Sequence, residues 1–139
     1  MRLWHKELIS SLPKNQLVGQ WRECCAIAKA LNEQGSPNHL LVNKILNYPK
    51  EHFYTYCSLI MQEMKKRGYN VSNKAYNNFI KNIGTTGFTE VYFNELFKDW
   101  HNQRYLTQCY YNLQEKYDCG GISKKEWTRI EEKSLYIFK

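Results

Sequence analysis

The sequence predicts an all-α fold: a single compact helical domain, residues 1–139, built around a long helix in its N-terminal region. Three observations predict it. Apolar residues recur at three- and four-residue spacing in stretch after stretch, the period of a helix with one buried face. Between those stretches stand the marks of helix ends, proline before a start and glycine after a stop. Finally, 139 residues is the common size of one hydrophobic core, and no internal repeat or low-complexity segment argues for another architecture.

The first long helix begins at Pro13, whose missing N–H is no loss in a first turn, and carries Leu17, Trp21, Cys24 or Cys25, Ala28 and Leu31 on one face until Gly35 and Pro37 stop it. Residues 38–47 hold Leu40, Leu41, Ile45 and Leu46 at helical spacing and end before Pro49. A further helix spans about 49–67, with Phe53, Tyr56, Cys57, Ile60 and Met64 as its apolar stripe. Lys65, Lys66 and Arg67 occupy its last turn, where the helix dipole favours cations, and Gly68 is its stop. Ser72 caps a helix running to about Ile83, ended by Gly84. After a Thr/Gly-rich loop, residues 90–100 are aromatic and ambiguous between helix and strand. Residues 102–117 read as helix through Tyr105, Leu106, Cys109, Leu113 and Tyr117, stopped by Gly120 and Gly121. Ser123 and Glu126 resemble a capping box opening a last helix, and residues 135–138 read as a short extended tail.

Twenty Lys and Arg stand against thirteen Asp and Glu, a formal charge of +7. This favours a polyanionic partner through phosphate contacts and counterion release, nucleic acid ahead of an anionic membrane surface. Aromatics make up 15% of the chain, eleven of them Tyr, which suits either a core whose rings keep a polar tip or a surface that stacks on bases. No stretch approaches 18 consecutive apolar residues and the first 30 residues lack the order of a signal peptide, so the chain is expected to be soluble and cytoplasmic. Five cysteines with no CxxC pair argue against a disulfide framework and a structural zinc site, and are expected as reduced, mostly buried thiols. The histidines, at positions 5, 39, 52 and 101, are scattered and form no HExxH pair, so neither a metal nor another cofactor is expected.

On the first long helix Gln16, Gly19 and Glu23 share a face apart from the Leu17/Trp21/Cys24 stripe. Glycine inside a helix costs about 1 kcal/mol relative to alanine. The expected reason for Gly19 is close approach of another backbone, either the N-terminal strand or a DNA strand. The chain opens Met1-Arg2-Leu3-Trp4-His5, and the helix contains Gln16-Leu17-Val18-Gly19-Gln20-Trp21-Arg22-Glu23. With Met64-Lys65-Lys66-Arg67-Gly68-Tyr69-Asn70, these segments resemble the phage-type pyrimidine-dimer DNA glycosylases, the endonuclease V type. Residues 1–31 and 38–71 carry the resemblance; beyond residue 100 only Leu113, Glu115 and Lys116 line up.

The resemblance implies an endonuclease V-like fold and a metal-independent DNA repair enzyme, a glycosylase with associated abasic-site lyase activity. Its implied partner is double-stranded DNA containing damaged or abasic sites, with no obligatory protein partner. In that family the N-terminal amine attacks the anomeric carbon of the damaged nucleotide, displaces the base and forms an imine with the opened sugar. A glutamate on the first helix positions the sugar and assists β-elimination. Carried over, the amine belongs to Met1 and the carboxylate to Glu23. The spacing matches without gaps from Leu8 to Glu23, whereas the start needs one residue more than the phage enzyme, which loses its initiator methionine. Here the bulky Arg2 is expected to keep Met1 in place.

The chemistry is sound in general terms. A protein α-amine titrates near about 7.7–8.0, roughly 2.5 units below lysine, so a useful fraction is neutral at pH 7. Imine formation is an established use of an amine nucleophile, and a nearby carboxylate can move protons or stabilise an oxocarbenium-like sugar. Arg2 and Arg22 match family residues that grip phosphates beside the lesion, a task suited to the guanidinium fork. Gln16, His39 and Lys116 complete the expected DNA contacts. Two departures concern lesion choice. Three positions after the glutamate the phage enzyme has arginine where this chain has Ala26, and residues 134–139 offer no counterpart to its aromatic, lysine-bearing C-terminal segment. The competing reading is a non-catalytic helical nucleic-acid-binding or protein-interaction module that keeps the fold; the two differ in whether the Met1 amine and Glu23 are needed.

Overall fold

Leu17, Trp21, Cys24 and Ala28 line the buried side of α1 (Lys14–Gln34) in a computed structural model that describes residues 1–138. Pro13 is the N-cap, one residue before the helix, and Gly35 closes it in the left-handed region (φ 75°), its N–H donating to the Leu31 carbonyl. The buried side is wider than the periodicity suggested. Gln20 and Ile27 are also buried, and Leu31 is only half-buried.

α2 (Lys50–Lys66) buries all five residues of its expected stripe, together with Tyr54 and Thr55. That much of its circumference is covered because α1 and both 3-10 helices, Lys6–Ser11 and Val42–Asn47, pack on it. α3 (Asn73–Ile83) starts where the Ser72 hydroxyl accepts the Ala75 N–H at 3.1 Å, and it packs on α1 through Phe79 against Trp21, ring centroids 5.4 Å apart. α4 (Gln103–Asp118) is capped by Asn102, whose side chain accepts the Tyr105 N–H at 2.9 Å.

At the start of α5 (Lys124–Ile137) the Ser123 hydroxyl accepts the Glu126 N–H, and Glu126 Oε2 accepts the Lys14 N–H at 2.8 Å. One carboxylate thereby ties the first turns of α1 and α5 together. Burial works against its charge, but bonds from Lys14 and Ser123 hold it below the ordinary glutamate value. Residues 135–138 are not an extended tail. Helix α5 continues to Ile137, and Phe138 packs edge-on against Tyr110, centroids 5.1 Å apart, which gives the end of the helix an apolar anchor. Lys139 lies outside the described residues.

Among the described residues there is no strand. In the ambiguous segment, residues 90–100, the first three belong to no element and 93–100 form consecutive turns. Phe97 and Asp99 take positive φ (50° and 76°), which breaks any regular period and turns Leu96, Phe97 and Trp100 into the core. The buried ammonium of Lys6 donates to the Phe93 and Leu96 carbonyls at 2.7 and 2.8 Å, satisfying acceptors that a helix would have bonded internally. Arg67 is likewise drawn inward: it pairs with Glu63 at 2.8 Å and donates to the Leu12 and Ser10 carbonyls at 2.7 and 3.1 Å, closing the end of the first 3-10 helix.

Every helix contributes to one buried apolar cluster. Cys24, Cys57 and Cys109 lie in it, Cys25 is half-buried, Cys119 is exposed, and all five are free thiols. No helix among the described residues is long and apolar enough to cross a membrane.

Candidate active site at the chain start

Residues 1–5 belong to no helix, and no strand pairs with them. The backbone groups of Arg2, Leu3 and Trp4 are bonded by side chains instead, as buried peptide groups require. The Trp4 N–H donates to Gln20 Oε1 at 2.8 Å, and Gln20 Nε2 donates to the Arg2 carbonyl at 3.0 Å. The Tyr105 hydroxyl donates to the Leu3 carbonyl at 2.7 Å and the Tyr56 hydroxyl to the Trp4 carbonyl at 2.6 Å. One residue on, the Lys6 N–H donates to His101 Nδ1 at 3.0 Å. Burial pushes both phenols above the ordinary tyrosine value, so they remain donors at neutral pH.

Beneath this segment His5 stacks on His101, ring centroids 5.0 Å apart, inside a cluster with Tyr56, Phe97, Trp100 and Tyr105. Burial pushes His5 down to about 4 and His101 to about 2, so both rings are neutral. Because His101 Nδ1 is an acceptor, its proton sits on Nε2. That atom and Trp100 Nε1 are buried without a hydrogen-bond partner among the described residues.

The threaded segment leaves Met1 on the surface, 55% exposed, and the Arg2 carbonyl that follows it shares a donor with a carboxylate. Gln20 Nε2 donates to Glu23 Oε2 at 3.1 Å as well as to the Arg2 carbonyl, which holds those two oxygens within about 6 Å of each other. Glu23 is half-buried. Arg2 lies on the protein, its guanidinium 5.4 Å above the Trp4 ring and Nη1 3.8 Å from Cys109 Sγ. Arg22 adjoins Glu23 on α1, is exposed, and takes part in neither of the two ion pairs found among the described residues. Gln16, one turn before Gln20, is half-buried, and its Oε1 is buried without a partner. Lys116 is exposed two helical turns beyond Cys109 on the same side of α4, about 10 Å along the axis.

His39 is not brought to this group. It stands past the C-terminal end of α1, which runs eleven residues beyond Glu23, about 16 Å. There His39 Nδ1 accepts the Val42 N–H at 3.3 Å and its carbonyl accepts the Asn43 N–H at 2.7 Å, opening the second 3-10 helix. His52 Nδ1 accepts the Phe97 N–H at 3.1 Å. Among the described residues no group of three or more His, Cys, Asp or Glu is placed to hold a metal ion.

Gly19 is not there to admit the N-terminal strand. A Cβ built on it meets nothing within 4 Å, because the N-terminal segment docks one residue further along the helix, on Gln20. Gln20, Tyr56 and Tyr105 are the site residues that periodicity did not find. Gln20 did leave a signal, a polar side chain inside an apolar stripe, which must find partners in the interior. One turn past Arg22, Ala26 lines a groove of about 560 Å³ between α1 and α3, with Cys25, Lys29, Asn78, Phe79 and Lys81.

A family model described as pyrimidine dimer DNA glycosylase matches residues 1–77. That span holds Met1, Arg2, Gln20, Arg22, Glu23 and Tyr56. No curated protein and no solved structure matches the chain.

Proposed function

Because the chain belongs to the pyrimidine dimer DNA glycosylase family, we propose that it removes a damaged base from duplex DNA with its N-terminal amine and then cuts the strand at the resulting abasic site. The neutral Met1 amine attacks C1′; the N–C1′ bond forms as the glycosidic bond breaks, and the base leaves with the bonding pair and takes a proton. Opening of the sugar ring gives the protonated imine. Glu23 steadies the positive charge that develops at C1′ and accepts a proton from C2′, whereupon the 3′ C–O bond breaks and the phosphate leaves. Water then hydrolyses the imine and frees the amine. Arg2 and Arg22 hold phosphates beside the lesion, with Gln16 and Lys116 along the same approach. His39, past the far end of α1, is a more distant phosphate contact.

The observation that carries this reading is the side-chain clamp on Arg2, Leu3 and Trp4. An unpaired chain start would fray, whereas this one is bonded at Arg2, Leu3 and Trp4 by buried donors and acceptors, one of which also bonds Glu23. Fixed geometry between nucleophile and assisting group is what converts a weak amine into an effective one.

Strand cleavage of a duplex with one abasic site, compared between the native chain and Glu23→Gln, tests it. An amide is nearly isosteric and retains an oxygen for the Gln20 bond, so the melting temperature and duplex affinity should hold. Loss of the proton-accepting carboxylate should slow cleavage by about 10²–10⁴-fold. Cleavage at the native rate would remove Glu23 from the chemistry.

A further inference from the structure

The geometry points to Gln20 as the residue that positions the Met1 amine against Glu23. It rests on the reading above that this amine is the nucleophile. A glutamine side chain has two N–H donors and one carbonyl oxygen, and here every one of them is engaged. The Trp4 N–H can only donate, so the atom facing it must be the amide oxygen; this fixes the orientation of the whole group. The Tyr56 hydroxyl lies 2.9 Å from the same oxygen. Nε2 is then turned the other way, one hydrogen on the Arg2 carbonyl and the other on Glu23 Oε2.

Two features separate this from ordinary core packing. Gln20 is 1% exposed, so no water competes for its bonds. In addition, a single NH₂ group joins the Arg2 carbonyl, one residue past Met1, to the assisting carboxylate, through no other residue. Rotation of the amide, or loss of one donor, would let the chain start and the carboxylate move independently. A misplacement of about 1 Å between reacting groups can cost about 10²-fold in rate. Gln20 touches neither the sugar nor the base in this account; it acts through what it holds.

The test uses the full chain with a free N-terminus and a duplex containing one abasic site. Under single-turnover conditions with enzyme in excess, the rate of borohydride-trapped adduct is measured for the native protein, Gln20→Met and Gln20→Asn. Methionine keeps the length and loses the bonds; asparagine keeps the amide and loses the reach, and serves if the methionine variant does not fold. Trapping should fall about 10–100-fold in either variant while the duplex dissociation constant changes less than about 2-fold. In strand cleavage, Gln20→Met combined with Glu23→Gln should be no slower than Glu23→Gln alone, because coupled positions are not additive. A residue serving stability alone would lower the melting temperature and leave trapping at native speed, and that result would overturn the assignment of Gln20. If the native protein itself forms no trapped adduct, both this inference and the amine mechanism fall.

Discussion

Tyr56→Phe removes one oxygen from the middle of the clamp. The ring stays, still packed 5.8 Å from Phe97, so no cavity larger than a hydroxyl opens. What is lost is the 2.6 Å bond to the Trp4 carbonyl; Gln20 Oε1 keeps the Trp4 N–H as its donor. Tyr56 is fully buried, so water does not replace the missing proton, and an unsatisfied buried carbonyl costs about 1–3 kcal/mol. For a chain of 139 residues the unfolding entropy is about 0.3 kcal/mol/K near the midpoint, so each kcal/mol moves the melting temperature by about 3 °C. Thermal unfolding followed by circular dichroism should therefore show a midpoint about 3–10 °C lower than the native protein's. A midpoint within 1 °C of native would mean that the chain start is not held by this bond, and the clamp argument would lose one of its members.

Gly19→Ala should raise the melting temperature by about 2–3 °C, since the added methyl meets nothing within 4 Å and alanine favours the helix by about 1 kcal/mol; an unchanged or lower midpoint would contradict the open space. Stability should also depend on pH in a window set by the buried histidines. His5 and His101, pushed to about 4 and about 2, remain neutral in the fold while the unfolded chain takes up protons below about 6.5. Their contribution is complete above that value and is lost as the pH falls, down to about 4 for His5 and about 2 for His101. Urea unfolding should give a free energy about 3–4 kcal/mol smaller at pH 5 than at pH 7, at about 1.4 kcal/mol per pH unit for each histidine; equal values would refute their burial as neutral groups.

Helix ends were the most legible part of the chain, because they are decided locally. Ser72, Asn102 and Ser123 each accept an N–H in the first turn they precede, and Gly35, Gly68, Gly84 and Gly120 all take positive φ. Residues 93–100 were not legible. Their rings face one core from successive turns, and a turn that depends on Lys6, eighty-seven residues away from Phe93, leaves no local period. The tail was misread for a similar reason, since the contact that makes helix worthwhile there, Phe138 on Tyr110, is long-range. Within the site, the Met1/Glu23 pairing came from spacing and resemblance; what the structure adds is that Gln20 bonds both the Arg2 carbonyl and Glu23. The clamp itself was hidden, because Tyr56 and Tyr105 look like any aromatic on a buried stripe until their hydroxyls are seen on the Trp4 and Leu3 carbonyls.

Where the sugar becomes attached decides the central claim. Lys6 offers no free amine, since its ammonium is buried on two carbonyls, whereas Lys14 is exposed and stands as a competing nucleophile. Borohydride reduction of the complex with an abasic duplex, followed by proteolysis and mass spectrometry, should place the adduct on the peptide that begins at Met1, and acetylation of that amine should abolish trapping without abolishing DNA binding. An adduct on Lys14 or any other lysine, or undiminished trapping by the acetylated protein, would contradict the account.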